Sequence, residues 1–179
     1  MAALKSISLF AAAALMAACA SNAPQELGDG KSGSIIGVNR NSNLEISDVL
    51  PKYVEDYETR TIWEALTGDE FTHGYLVMRS QPESREGMYF FVMLPWSVSE
   101  ISTGTIIELE VDSTATAKTR KFTFKVPETS SVVREIKLGL TGLDWKGKSE
   151  RVNAWKIAIK TPAGNTIAEK QSWLWAVKH

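Results

Sequence analysis

The second half of the chain alternates between apolar and polar side chains. Residues 107–112 read Ile-Glu-Leu-Glu-Val-Asp, and residues 121–126 read Lys-Phe-Thr-Phe-Lys-Val. The same period of two recurs in residues 136–140 and 155–159. Because successive side chains of a strand point to opposite faces of a sheet, this pattern predicts strands with one buried and one solvated face.

The first two of these runs are predicted to pair as an antiparallel hairpin around the loop 113–120. In this register Asp112 lies opposite Lys121, and Glu108 lies opposite Lys125. Each such pair of opposite charges across two strands contributes about 0.2–1 kcal/mol. We therefore expect the polar face of the hairpin to neutralise its own charges in solvent.

The remaining pattern adds further elements. Residues 88–94 form a continuous apolar run, as in a strand that is buried on both faces. Residues 75–78 predict another strand, and residues 167–177 predict a final one. Residues 48–58 keep apolar side chains at helical spacing and allow one short helix, whereas residues 59–63 alternate as in a strand.

Short alternating strands separated by turn signals, such as Pro-Ala-Gly-Asn at residues 162–165, are typical of a β-sandwich. The sequence thus predicts a mainly β fold, a single immunoglobulin-like antiparallel β-sandwich over residues 44–179. These 136 residues are an ordinary length for one domain.

The N-terminal segment has the pattern of a processing signal. Lys5 precedes the apolar run Ile7–Met16, whose 10 residues are too few for a membrane-spanning helix, since such a helix needs about 20. Small residues follow this run and lead directly to Cys19, the one cysteine of the sequence.

The segment 15–19, Leu-Met-Ala-Ala-Cys, resembles the lipobox of bacterial lipoproteins, with Met16 where that family usually has leucine. The resemblance implies that residues 1–18 are a signal peptide, that the Cys19 thiol receives a lipid, and that acyl chains such as palmitate anchor the protein in the cell envelope. Residue 20 is alanine, not the aspartate that in this family often marks inner-membrane retention, so the outer membrane is favoured in a cell with two membranes. An ordinary secretory signal with a chance cysteine is the alternative.

Residues 19–43 are predicted to form a lipidated flexible tether. Half of the 24 residues from 20 to 43 are glycine, serine or asparagine, which bury too little apolar surface to repay the entropy of ordering. A flexible coil of this length reaches roughly 27 Å. Alternatively, Ile35, Ile36 and Val38 add a short strand to the domain.

The composition argues against several function classes. A net charge of −1 provides no basic surface for nucleic acid. One cysteine cannot make an internal disulfide or a cysteine zinc site, and the two histidines, His73 and His179, leave little for metal or acid–base chemistry. No metal, no cofactor and no catalytic residue are therefore expected, although Glu64, Asp69 and Glu70 leave open a glycan-directed enzyme that uses paired carboxylates.

The chain contains six tryptophans, an unusually large number for its length. The alternation assigns Trp155 to the core and places Trp173 and Trp175 on one face of the last strand. Trp145 and Trp96 stand outside any periodic run, so they are the candidate contacts for a ligand or partner. The leading expectation is a non-catalytic, lipid-anchored envelope domain that contacts envelope proteins, and the alternative is a carbohydrate-binding module that uses these two rings.

Overall fold

Two four-stranded sheets are built within residues 45–178, the part of the chain that the computed structural model describes. The eight strands are β1 (Asp48–Val54), β2 (Leu76–Arg79), β3 (Gly87–Met93), β4 (Ile106–Ser113), β5 (Thr116–Lys125), β6 (Glu135–Thr141), β7 (Val152–Lys160) and β8 (Thr166–Gln171). Three short α-helices are α1 (Asp56–Thr59), α2 (Ile62–Thr67) and α3 (Trp173–Lys178). The predicted mainly β fold is confirmed.

The order of the strands is that of an immunoglobulin-like sandwich. One sheet has the order β1-β3-β6-β2, and the other has the order β5-β4-β7-β8. Strands β1, β3 and β6 thus take the places of strands A, B and E, while β4, β7 and β8 take those of C, F and G, with β5 beside β4. The departure is β2, which lies at the usual place of strand D but runs parallel to β6. It does so because residues 55–75 carry the chain from the end of β1 back along the sheet.

The core forms between the sheets from the inward residues that the alternation predicts. Leu109 and Ile157 of one sheet and Phe90 and Leu138 of the other are completely buried. The ring of Trp155 packs edge-to-face on Phe90, with 6.4 Å between the ring centroids. This contact joins the two sheets and confirms the assignment of Trp155 to the core.

The predicted hairpin exists, but its register differs by two residues. Glu110, rather than Asp112, lies opposite Lys121, and Ile106 lies opposite Lys125. The strands extend into the predicted loop 113–120 and leave only a tight turn at residues 114–115. Since the shift is an even number of residues, the side chains of residues 106–111 keep their predicted faces, whereas a bulge between Val111 and Ser113 leaves Asp112 buried.

Two other segments differ from the prediction. Most of residues 48–58 form β1 rather than a helix, with Pro51 in this edge strand, where a missing N–H group is tolerated. Residues 59–63 lie in and between α1 and α2, so they form no strand.

The last predicted strand, residues 167–177, ends at Gln171 and continues as α3. The Ser172 hydroxyl accepts hydrogen bonds from the backbone N–H groups of Trp155 and Trp175, which caps the helix and fixes it on β7. In this helix Trp175 is buried and Trp173 is exposed, so the two rings do not share a face.

The signal peptide 1–18, the lipidation site Cys19, the tether 19–43 and the alternative strand at 35–38 lie outside the described residues. Within residues 45–178, no helix has the length and hydropathy that crossing a membrane requires.

Candidate functional site

Trp145, the first predicted contact residue, is buried. It follows the short 3-10 helix Gly142–Asp144 after β6, and its side chain is only 4% exposed. The Arg120 guanidinium of β5 lies 5.3 Å from the centre of the indole ring, a cation–π contact. The ring is therefore packed into the core, and only a small part of it is accessible to a ligand or partner.

Trp96, the second predicted contact residue, is half-buried and packs against the core. Its indole N–H group, like that of Trp145, is buried and has no hydrogen-bond acceptor among the described residues. Trp145 is thus enclosed, whereas Trp96 keeps part of its side chain in solvent. The burial of Trp145 could not be predicted because Arg120, which contacts its ring, is distant in sequence.

Beneath Trp145, a buried ionic network fixes the loop that joins β6 to β7. Glu150 accepts a hydrogen bond from the Ser113 hydroxyl at 2.6 Å and another from the Lys146 N–H group at 2.7 Å. The Arg120 guanidinium pairs with the same carboxylate. Because each partner lies on a different element, the network holds residues 146–150 in one place.

The carboxylates proposed for catalysis are held by arginines. Glu70 accepts two hydrogen bonds from Arg79, and this interaction lowers the pKa of Glu70 below the ordinary value of 4.5. Arg85 pairs with Glu64 and lies 3.9 Å from Glu70. A general acid needs a raised pKa, whereas that of Glu70 is lowered, so this arrangement favours a structural role for Glu70.

His73 lies in the exposed segment before β2, with its ring 4.5 Å from that of Phe71. Within residues 45–178, no group of three or more histidine, cysteine, aspartate or glutamate side chains is arranged to hold a metal ion.

Helix α2 presents its apolar side chains to solvent and its charged side chain to the protein. Ile62, Trp63 and Leu66 are 84%, 60% and 77% exposed. Glu64, by contrast, is only 15% exposed, because it faces inward to the ion pair with Arg85. This is the reverse of the usual surface helix, whose apolar stripe faces the core. We call Ile62, Trp63 and Leu66 the α2 surface.

The ends of α2 are fixed by local interactions. The Thr61 hydroxyl accepts a hydrogen bond from the Glu64 N–H group at 3.2 Å and caps the start of the helix. Gly68 ends it in the left-handed conformation with φ of 79°, where a side chain would be strained. The α2 surface is thus held outward by a capped helix and an ion pair.

A cleft of about 460 Å³ lies beside the edge strand β1 and the first residues of β7. Pro51, Met88 and Trp155 contribute its apolar wall. Tyr53 adds a phenol that donates a hydrogen bond to Glu86, and burial together with this carboxylate raises the pKa of Tyr53 to about 12. The phenol therefore stays neutral at any physiological pH.

Two cationic residues, Lys148 and Arg151, line the cleft, and only the lysine makes an ion pair within residues 45–178. Lys148 pairs with Glu55. Arg151 makes no ion pair with any residue in 45–178, although its backbone N–H group donates to the Thr114 hydroxyl at 3.0 Å. The backbone of Arg151 is thus held in place, while its side chain makes no ion pair within residues 45–178.

No protein-family model, curated protein or solved structure matches this chain. The assignment of a function therefore rests on the α2 surface, the cleft and the N-terminal sequence. Sequence reasoning missed the α2 surface, although the apolar pair Ile62-Trp63 beside a helix cap at Thr61 was a signal that could have indicated it.

Proposed function

We propose that the protein is a lipid-anchored component of a bacterial cell envelope whose sandwich domain binds a protein partner through the α2 surface, without catalysing a reaction. The observation that carries the proposal is the reversed orientation of α2. Exposed clusters of large apolar side chains mark interaction surfaces, because they lose contact with water only when a partner covers them. Tryptophan is also among the residues that contribute most to binding at such interfaces.

The charge around α2 favours a protein over an anionic lipid surface. Residues 55–70 contain six acidic side chains and one basic side chain, Arg60. Helices that lie on anionic membranes are instead rich in lysine and arginine on their polar face. The segment has no such basic face, since its one cation, Arg60, pairs with Asp56, so an apolar patch on a protein complements it better than an anionic membrane does.

Photocrosslinking in the native envelope tests the partner. A photoreactive amino acid at position 62 or 66 should give a crosslink to one defined protein. The same amino acid at position 132, an exposed apolar site in the segment before β6, should not give that crosslink. Crosslinks to lipid alone, or the same products from all three positions, would contradict the proposal.

A second measurement removes the apolar surface without disturbing the fold. The double variant Ile62→Ser/Leu66→Ser should abolish capture of the crosslinked partner, because it removes most of the apolar area that the partner covers. Its free energy of unfolding should stay within about 0.5 kcal/mol of the wild-type value, since both side chains are exposed. Full retention of the partner by this variant would refute the assignment of the site.

Cell fractionation tests the anchor. The Cys19→Ala variant should move from the membrane fraction to the soluble fraction, because it has no thiol to which a lipid can be attached. Ser21→Ala, two residues away, is the control and should stay with the membrane. Equal membrane retention of Cys19→Ala and the wild type would refute lipid anchoring at this residue.

A further inference from the structure

The cleft beside β1 and the start of β7 is lined by polar side chains that the fold does not use. Within residues 45–178, the Arg151 guanidinium makes no ion pair and the Asn153 side-chain amide makes no hydrogen bond. The Ser172 hydroxyl accepts two backbone N–H groups but donates its own proton to no residue of the described chain. These three groups are therefore available to a polar ligand in the cleft.

A bulge in β7 places Asn153 at the cleft. Val152 lies opposite Ser113 and Ala154 lies opposite Asp112, and these two partners are consecutive in β4. Asn153 is thus an extra residue with no partner of its own in β4. Bulges re-aim side chains and are frequent beside functional sites. Because Asn153 is also exposed, its amide is accessible to a ligand.

The cleft contains one positive charge that no residue in 45–178 balances. Lys148 pairs with Glu55, and the carboxylate of Glu150 pairs with Arg120. The charge that remains is that of Arg151. A guanidinium donates two parallel hydrogen bonds to a carboxylate. The charges of the cleft therefore favour a ligand with a single carboxylate.

The apolar wall of the cleft is small. Met88 and Trp155 are only 7% and 8% exposed, and Pro51 is half-buried. A ligand thus gains little from the burial of apolar area and must be held mainly by hydrogen bonds. The Tyr53 phenol, which donates its proton to Glu86, adds an oxygen that accepts such a bond. This balance favours a molecule with several hydroxyl groups over an apolar acid.

We propose that the cleft binds a hexuronic acid, a sugar with one carboxylate and several hydroxyl groups. The carboxylate pairs with Arg151. The hydroxyl groups form hydrogen bonds with Asn153, Ser172 and Tyr53, and the C–H groups of the ring lie on the apolar wall. The cleft volume of about 460 Å³ is within the usual range for ligand sites. No residue of the α2 surface lines the cleft, so this site is separate from the one proposed above.

Titration calorimetry with matched ligands tests the site. The full-length protein, purified in a detergent without a sugar headgroup, is titrated with glucuronate, galacturonate, the amide of each and cyclohexanecarboxylate. The amides keep the ring and its hydroxyl groups but lack the charge, whereas cyclohexanecarboxylate keeps the charge but lacks the hydroxyl groups. At least one uronate should bind about tenfold or more tightly than its amide and than cyclohexanecarboxylate, as for the loss of hydrogen bonds to a charged group or to several hydroxyl groups.

Variants assign the preference to the proposed residues. Arg151→Gln should lose the preference for the uronate over its amide. Asn153→Ala should keep that preference but bind the uronate less tightly relative to cyclohexanecarboxylate. Arg134→Gln is the matched control and should bind as the wild type does, because Arg134 is also exposed and makes no ion pair within residues 45–178 but lies just before β6.

Four results would overturn the proposal. These are no binding of either uronate, equal affinity for the uronates and their amides, affinity for cyclohexanecarboxylate as high as for the uronates, and the same loss of binding in both arginine variants.

Discussion

The buried carboxylate Glu150 offers the sharpest test of how the domain is held together. We expect the substitution Glu150→Gln to lower the free energy of unfolding by about 3 kcal/mol. Glutamine has nearly the same shape as glutamate, so the change removes the charge and one hydrogen-bond acceptor without creating a cavity.

The magnitude follows from the burial and the partners of this group. The Glu150 side chain is 1% exposed and that of Arg120 is 24% exposed. Removal of one partner of a buried ion pair costs about 3–5 kcal/mol because the other charge stays buried without compensation. The partial exposure of Arg120 places the expected loss at the lower end of that range. The new amide N–H group must also face either the guanidinium or the Lys146 N–H group, and both are donors.

Urea denaturation of the wild type and the variant, followed by circular dichroism, measures the loss. The midpoint should fall while the slope with urea stays constant, since the surface exposed on unfolding is unchanged. Glu169→Gln is the matched control, because its side chain is 55% exposed in its pair with Lys156 and such pairs contribute about 0–1 kcal/mol. The double variant Arg120→Met/Glu150→Gln should recover part of the loss, since it removes the uncompensated guanidinium while the amide at position 150 still has the Lys146 N–H group and the Ser113 hydroxyl as hydrogen-bond partners.

A loss below about 1 kcal/mol for Glu150→Gln would refute this reasoning. A double variant as unstable as the single one would also refute it, because the destabilisation would then come from packing and not from the unpaired Arg120.

Two further perturbations test contacts elsewhere in the domain. Gly139→Ala should lower the melting temperature and cost about 1–3 kcal/mol, because its Cβ would lie 2.7 Å from the Tyr89 ring, and an unchanged melting temperature would contradict this contact. Glu70→Gln should be less stable than the wild type at neutral pH, because Arg79 lowers the pKa of Glu70 in the folded state. The unfolding free energies of the two proteins are measured at a series of pH values. Their difference should shrink as the pH falls below 4.5 and through the folded-state pKa of Glu70. A constant difference would show that the charge of Glu70 is not responsible.

The strands and their buried faces could be predicted because they depend on a local property. The alternation in residues 107–112 and 155–159 has a period of two, and that period decides which side chains point inward wherever the strand pairs. The hairpin register could shift by two residues without violating the pattern, so the pattern alone did not fix it. The lipobox resemblance is likewise local, since it depends on the five residues that end at Cys19.

The candidate sites depend on contacts between residues far apart in sequence, which a local pattern does not contain. Trp145 looks like a loop residue, and only the approach of Arg120 and the core buries it. Glu64 turns inward because Arg85 reaches it from the loop before β3, and this reversal exposes the α2 surface. The sequence by itself therefore determined the strands, their faces and the predicted anchor, while the tertiary structure decided which aromatic and charged side chains reach solvent, because burial is a property of the neighbours that folding brings together.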